Sequence, residues 1–403
     1  MACKTRAHGH PEVISVSKLC CGAAAEGDRL RFRHRGQGGV PRPVVVWNAT
    51  RRCNLRCRHC YSASDDDPAE GELTGDEARA MIDDVARFGA PVLLLSGGEP
   101  TLRPDLPELA AFARDAGLRT ALSTNGTRIT PERARRLAEA GVAYAGVSFD
   151  GPAEANDRFR GVAGAFDAAL AGLRACRDAG IKVGLRFTIT RENARHVPAM
   201  FDLALAEGIG RLCFYHLVSV GRGARMNGEA PSHGQTRKVL DAIIDRTYEA
   251  HRSGAPLEVL TVDNHADAAY VQLRLAREDA ARAAACAEQL GRQGGNATGE
   301  RIGCIGWNGD VHPDPFWRSR VLGNVRDRPF SEIWSDVDGL LGELRRRPAG
   351  LTGRCTRCRW LHVCNGNMRA RAEAAGDAWG DDPACYLTEA EIEPAPEPEA
   401  AHG

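Results

Sequence analysis

The chain has 403 residues with 53 basic and 53 acidic side chains; a formal charge of zero excludes a global field drawing it to nucleic acid or an anionic membrane, and leaves anion binding to local clusters. Its length exceeds the roughly 250–300 residues at which a single hydrophobic core stops growing, so a large domain and a smaller one are expected. Fourteen cysteines, with no signal-peptide apolar segment and no apolar run of membrane-spanning length, predict a reducing compartment, the cytoplasm, where such spacings mean metal rather than disulfides.

Residues 1–42 read as an N-terminal arm, rich in Gly, Arg and His and aperiodic apart from Val13-Ile14-Ser15-Val16-Ser17. Cys20 and Cys21 lie in it without a third cysteine nearby, as surface thiols or ligands. Residues 43–232 read as the core. Apolar runs at 44–49, 92–96, 119–123, 143–149, 182–190 and 211–217 predict strands. They alternate with amphipathic stretches at 76–88, 106–116, 131–140, 166–179 and 197–206, several followed by a helix-ending glycine. This alternation predicts an α/β fold, a parallel sheet with right-handed crossovers curling into a partial (β/α)6 TIM-like barrel. Residues 233–300 read as a mostly helical connector, 236–252 and 270–290, interrupted by the polar segment Thr261-Val-Asp-Asn-His265. Residues 301–388 form a second, cysteine-rich unit of short strands and turns, and the proline-rich, charged tail 389–403 is expected to be disordered.

Cysteines concentrate at two places. Cys53, Cys57 and Cys60 fall within eight residues just past the first predicted strand, so one loop can direct all three at one metal centre. Structural zinc takes four closed ligands and an electron-transfer cluster four cysteines, whereas three leave one iron of a 4Fe-4S cluster open to a small ligand. The spacing by itself also fits a zinc knuckle or three separate buried thiols. Farther on, Cys355, Cys358, Cys364 and Cys385 supply four thiolates, enough to close a cluster or a zinc site, and spacing does not decide between them. The other motifs also fall at carboxyl ends of predicted strands, where parallel sheets carry their chemistry: Gly97-Gly98-Glu99-Pro100, Thr124-Asn125-Gly126 and Asp150-Gly151. In the first of these, two glycines permit close backbone approach to a ligand, and Glu99 can accept from an ammonium group.

The Cys-x3-Cys-x2-Cys loop, followed one βα unit later by Gly-Gly-Glu-Pro, resembles the signature of radical S-adenosylmethionine (SAM) enzymes. The resemblance implies a 4Fe-4S cluster on Cys53, Cys57 and Cys60 whose open iron is chelated by the amino and carboxylate groups of SAM. It further implies that Gly97, Gly98, Glu99 and Pro100 hold the amino group, that Ser123 and Asn125 contact the ribose and methionyl portions, and that Arg186 pairs the carboxylate. The cysteine-rich end resembles the SPASM/twitch extension, which implies an auxiliary 4Fe-4S cluster on Cys355, Cys358, Cys364 and Cys385. A two-cluster extension would carry cysteine where this chain has Met368, and another between Cys304 and Cys355, where it has none. One auxiliary cluster is therefore expected, and Cys304 is left as a spare thiol or a contact to cluster or substrate.

Val45-Val-Trp-Asn, Gly184-Leu-Arg-Phe-Thr, His312-Pro-Asp-x-Phe316-Trp-Arg, Gly323-Asn-Val and Asp382-Pro-Ala-Cys385-Tyr-Leu resemble the radical SAM enzymes that trim side chains of sirohaem-derived tetrapyrroles. Ile14-Ser-Val-Ser-Lys-Leu-Cys-Cys-Gly, Cys213-Phe-Tyr-His-Leu-Val, Leu260-Thr-Val-Asp-Asn-His and Gly303-Cys-Ile-Gly-Trp look more like the AhbC-type 12,18-didecarboxysirohaem deacetylases than the NirJ-type propionate-removing enzymes of haem d1 biosynthesis. What this implies is removal of acetate side chains to give Fe-coproporphyrin III in sirohaem-dependent haem biosynthesis. A ferredoxin or flavodoxin would be the electron donor, with no nucleic-acid or membrane partner. A SPASM peptide or protein maturase shares core and extension and is the alternative from another class. A substrate with several carboxylates around a flat iron macrocycle calls for arginine forks, aromatic surface and an imidazole for iron. Candidates to supply them are His216, Arg222, His265, His312, Trp317 and Arg318, with His216 and Cys304 as candidate catalytic side chains.

Overall fold

The computed structural model describes residues 13–25, 28, 39–67, 70–226 and 228–393. Among them, eleven strands form one mixed sheet in the order β1-β8-β7-β6-β5-β4-β3-β2-β9-β10-β11. In chain order these are β1 (Val13–Ser15), β2 (Val44–Asn48), β3 (Leu93–Ser96), β4 (Thr120–Thr124), β5 (Val142–Ser148), β6 (Lys182–Ile189), β7 (Arg211–His216), β8 (Glu258–Val262), β9 (Ile302–Ile305), β10 (Asp310–His312) and β11 (Gly323–Asn324). Strands β2 to β8 run parallel, each beside the next. The connecting helices are bounded as their sequences dictate. Gly75–Phe88, for example, opens on a Thr74/Glu77 capping box and stops at Gly89 in the left-handed region, which satisfies end groups the helix itself leaves unpaired.

Alternation along the strands makes two cores. Outward residues such as Trp47, Leu95, Leu122, Val147, Phe187 and Phe214 pack with Ile82, Leu109, Leu137, Leu173 and Phe201 of the helices. Inward residues Val44, Val46, Val92, Leu94, Ala121, Tyr144, Ile302 and Cys304 form a second, smaller cluster at the base of the concave face. Toward the carboxyl ends the same inward rows turn polar, at Asn48, Ser96, Ser123, Ser148 and Arg186. Burial on both faces explains why the strands read as apolar runs rather than as alternating patterns.

The parallel run extends past the six expected strands. β8 lies inside the stretch expected to be a helical connector, and it pairs with β7 from Arg211↔Glu258 to Tyr215↔Val262. The five residues Glu258-Val-Leu-Thr-Val262 between two long helices give a helix-like window average, and Gly254 and Pro256 are the breaks that precede the strand. The N-terminal arm is also corrected, because β1 pairs antiparallel to β8 and leads into the helix Val16–Cys21, capped by Ser15 and closed by Gly22. Ile14, Val16, Leu19 and Cys20 are all buried in the main core. Cys20 is therefore no surface thiol; burial pushes it up to about 12, reinforced by Cys21 and Cys286. At the other end the tail is ordered as far as residue 393. Thr388 and Glu391 form a capping box, Ile392 is buried, and the Trp360 indole donates to the Glu391 carbonyl at 2.8 Å. The remainders of the expected arm and tail, 1–12, 26–27, 29–38 and 394–403, lie outside the described residues.

Because Ile14 is 1% exposed, Ile14→Ala is expected to cost about 2–5 kcal/mol through lost burial and a residual cavity. A detached arm would leave stability within about 0.5 kcal/mol. Anaerobic urea unfolding distinguishes the two.

Candidate active site

The cysteine loop begins where β2 ends and is held by backbone contacts. The Gly98 amide donates to the Thr50 carbonyl at 2.8 Å and the Glu99 amide to the Arg52 carbonyl at 2.7 Å. A side chain at Gly98 would collide with the Arg51 and Arg52 carbonyl oxygens, and one at Gly97 with that of Thr50. Gly97 has in addition a φ of 139°, which L side chains rarely adopt. The glycine pair thus seats the loop, instead of opening the backbone to a ligand as the sequence suggested.

Other elements clamp the rest of the loop. The Arg56 amide bonds the Arg160 carbonyl at 3.0 Å and the Arg58 amide that of Phe159 at 3.1 Å. The Arg160 guanidinium donates to Cys57 Sγ at 3.5 Å and pairs at 2.6 Å with buried Asp150, so the fourth-strand motif acts through the loop. Arg222 Nε donates to the Cys57 carbonyl at 2.9 Å and Nη1 to the Ser64 carbonyl. Arg222 is consequently a loop clamp and not the outward carboxylate fork expected. Burial pushes the Cys53 thiol up to about 12, with Glu99, Cys57 and Cys60 adding to the rise, and burial also raises Cys57 against the pull of Arg160. Thiols as buried as Cys53 and Cys57 favour the protonated form until a cation binds beside them.

Glu99 is wholly buried. Its Oε1 accepts from Thr101 N (3.1 Å), Thr101 Oγ1 (2.6 Å) and Thr124 Oγ1 (2.7 Å), and Oε2 accepts from Asn125 N at 2.7 Å. The carboxylate expected to face an ammonium is therefore a brace between the ends of β3 and β4. Pro100 is buried too, opening the short turn Pro100–Leu102. Asn125 donates to Cys53 Sγ at 3.8 Å and Asn54 Oδ1 at 3.1 Å, and its own Oδ1 accepts twice from Thr127. It supports the loop rather than presenting a free amide.

Above these braces lies a cavity of about 160 Å³ that opens to solvent. Val46, Leu94 and Ile302 floor it; Ser96, Ser123, Ser148, Arg186 and Thr188 line the strand ends; Tyr61, Tyr215, Leu217, Val218, Val262 and Phe316 wall it. Arg186 donates from Nη1 to Ser123 Oγ, fits over Gly146 where any side chain would collide with its guanidinium, and keeps a buried Nε without a hydrogen-bond partner. His216, at the end of β7, lies 2.8 Å from buried Asp267, which also accepts from the Tyr386 hydroxyl at 2.7 Å.

The remaining expected residues sit elsewhere. Cys304 is a β9 core residue below the cavity, bonded by Asn48 Nδ2 at 3.5 Å and pushed up to about 12 by burial. His265 is buried behind the wall, both ring nitrogens without a partner. His312, in β10, lies opposite Cys304 of β9, with Nδ1 on the Arg320 carbonyl at 3.0 Å. Trp317 is buried with its indole donating to Glu373 at 2.7 Å, and Arg318 stacks 4.1 Å over Trp307. The aromatic walls are Tyr61 and Phe316, whose rings lie 5.2 Å apart, and Tyr215. Sequence reasoning passed over these three and His59; strand parity would have found Tyr215, which shares the inward row with Cys213.

In the second cysteine group, Cys355, Cys358 and Cys385 lie near enough to Cys364 to act on it electrostatically. Cys364, at the end of the helix Leu361–Cys364, is pushed well up by burial and then by Cys385, Cys355 and Cys358. The Arg371–Asp382 ion pair at 2.9 Å is buried; Asp382 accepts from the Ala384 amide at 2.9 Å, fixing the turn that carries Cys385. Met368, where a further cysteine was considered, is wholly buried. Among the described residues no group of His, Cys, Asp and Glu side chains is drawn in tightly enough for a single metal ion.

Two family models match the chain in succession. The family described as the Radical SAM superfamily matches residues 47–204, and SPASM, an iron-sulfur cluster-binding domain, matches 298–359. The Fe-coproporphyrin III synthase of Methanosarcina barkeri is 53% identical over 94% of this chain and 99% of its own length. The pre-heme d1 synthase of Dinoroseobacter shibae is 49% identical over 88% of each chain. Among solved structures, Streptococcus suis SuiB bound to its precursor peptide SuiA shares the fold at a TM-score of 0.70 and 18% identity, over 86% of this chain and 76% of SuiB. Among the described residues no helix is long and apolar enough to cross a membrane. The chain belongs to the radical SAM superfamily with a SPASM extension, and is an enzyme that uses SAM and iron–sulfur clusters.

Proposed function

We propose that the enzyme removes the acetate side chains of 12,18-didecarboxysirohaem to give Fe-coproporphyrin III in sirohaem-dependent haem biosynthesis. The observation that carries this is the similarity to the Methanosarcina synthase along nearly the whole of both chains. The cavity supports it: apolar and aromatic walls suit a flat macrocycle, and an arginine and an imidazole face the same space. Cys53, Cys57 and Cys60 would hold the SAM cluster, and Cys355, Cys358, Cys364 and Cys385 one auxiliary cluster.

When bound, SAM and the reduced cluster supply a 5'-deoxyadenosyl radical, and the hard chemistry belongs to them. The protein's part is to bind, orient and exclude water. Arg186, a cation bonded to Ser123 with a buried Nε that has no hydrogen-bond partner among the described residues, would pair the SAM carboxylate. Leu217, Val218, Val262, Tyr61 and Phe316 keep the space above it dry, which protects a reactive intermediate from side reactions. A cytoplasmic ferredoxin or flavodoxin would deliver the electron.

With two clusters, reconstituted wild type should hold about eight irons, four in each. Changing Cys53, Cys57 and Cys60 to Ala should remove about half of the iron and all SAM cleavage. Changing Cys355 and Cys358 to Ala should remove the other half while sparing uncoupled cleavage. Iron analysis and deoxyadenosine assay read this, and about four irons in the wild type would contradict it.

Glu99→Gln sets an amide donor against four incoming donors, so a loss of about 1–3 kcal/mol is expected, with poorer cluster loading as well as weaker SAM binding. A side chain that only held SAM would lose SAM affinity at unchanged melting temperature. Differential scanning fluorimetry and calorimetry separate the outcomes.

Anaerobic incubation with 12,18-didecarboxysirohaem, SAM and reductant should give a product lacking both acetates by mass spectrometry, with the absorption of a fully conjugated macrocycle. A product that keeps both acetates but has lost propionate carbon would move the enzyme to the haem d1 branch, and an unchanged tetrapyrrole would favour a peptide substrate.

A further inference from the structure

Two imidazoles line the cavity, His59 and His216, and they are held differently. His59 belongs to the cysteine loop, and its Nδ1 is buried without a partner. His216 has a carboxylate behind it, with Nε2 2.8 Å from Asp267 Oδ2. Asp267 is wholly buried in the first turn of the helix Ala266–Glu278, and its other oxygen accepts from Tyr386 at 2.7 Å. Burial alone would raise the Asp267 carboxyl, but His216 beside it and the bonds from His216, Thr261 and Tyr386 hold it below its ordinary value. An ionised carboxylate only accepts, so the shared hydrogen sits on Nε2. Nδ1 then keeps a lone pair, has no partner among the described residues, and is the nitrogen left for the cavity. A carboxylate on one ring nitrogen is the arrangement that fixes tautomer and ring plane in metal-ligating histidines and makes the other nitrogen more basic.

We propose that His216 Nδ1 is the axial ligand to the iron at the centre of the tetrapyrrole substrate, oriented by Asp267 and, through it, by Tyr386. This rests on the functional reading above. Ligation would pin the centre of the macrocycle beside the end of β7, with Leu217 and Val218 against its face, so that its rim and not its metal is turned toward the SAM site. It would also make the enzyme choose the iron-bearing substrate over its iron-free counterpart, since the latter has nothing for Nδ1 to bind.

The test is an anaerobic absorption titration of cluster-loaded full-length enzyme with ferric 12,18-didecarboxysirohaem and, separately, with the iron-free macrocycle. Wild type should bind the iron form at least about tenfold more tightly, with the band shift of an imidazole ligand. His216→Gly should lose that margin and the shift, keep its affinity for the iron-free form, and regain the shift on adding imidazole. Asp267→Asn should weaken the iron form by about tenfold without abolishing the shift. A readout that needs no variant is pulsed EPR of the ferric complex of wild type labelled with nitrogen-15 histidine, which should show coupling from the iron to a labelled nitrogen. Equal loss for both macrocycles, failure of imidazole rescue, or absence of that coupling would overturn the proposal. If acetate removal proceeds without the coupling, only the ligation falls; if wild type binds neither macrocycle, the functional reading falls with it.

Discussion

Everything at the active end of the sheet depends on how closely two backbones meet at Gly97 and Gly98. The carbonyls of Thr50, Arg51 and Arg52 lie where side chains at these two positions would be, and the amides of Gly98 and Glu99 bond two of them. That contact ties the start of the cysteine loop to the end of β3. It also turns Glu99 inward, where the carboxylate ties Thr101 to the end of β4. From β4, Asn125 reaches back to Cys53. The cysteine loop is thereby made an extension of the sheet rather than a mobile connection, as a site that must hold reacting groups to fractions of an ångström requires.

The inward face of the sheet is graded from apolar at its base to polar at its rim, and glycines decide where large side chains can cross it. Gly184 leaves room for the Tyr144 hydroxyl and Gly146 for the Arg186 guanidinium. Below, Arg211 covers the Tyr144 ring at 4.6 Å and pairs with Glu258, closing the bottom. Above, Arg186 has phenols and a thiol as its main electrostatic neighbours, Tyr215, Tyr144, Cys213 and Tyr61. A cation surrounded in this way is available to an anionic ligand in a manner that Arg160 and Arg222, both already committed, are not.

The parallel core was legible because each of its strands is buried on both faces and so appears as a short apolar run bounded by glycine. The cysteine groups were legible because several thiols at fixed short spacing within one loop point to metal binding. What escaped was decided by tertiary packing. β8 and β1 are brief runs whose strand character comes only from pairing with β7 and with each other. Glu99, Asn125 and Arg222 carry the residue types of ligand-binding groups, yet they bond to neighbouring side chains and to backbone amides and carbonyls that no spacing rule reveals. Trp317 and Phe316 are neighbours of similar chemistry, and only the turn at Asp314, whose carboxylate accepts from both their amides at 2.8 Å, determines that Phe316 meets the cavity and Trp317 the core.

The extension does more than carry a second set of cysteines. Arg371 bonds the carbonyls of Asp263 and Leu217 at 2.6 and 3.3 Å while paired with Asp382, so the ends of β7 and β8 are stapled to the turn that holds Cys385. Tyr386, the next residue, reaches Asp267 and through it His216. The wall of the cavity and the auxiliary cysteine group therefore share one buried polar network, and a buried network of this kind is costly to leave half satisfied. Displacing the Cys385 turn would unpair Asp267 and Arg371 together, and so loosen the cavity wall on which His216, Leu217 and Asp263 stand. Loading of the second cysteine group and the shape of the substrate space are in this way two aspects of a single packing arrangement.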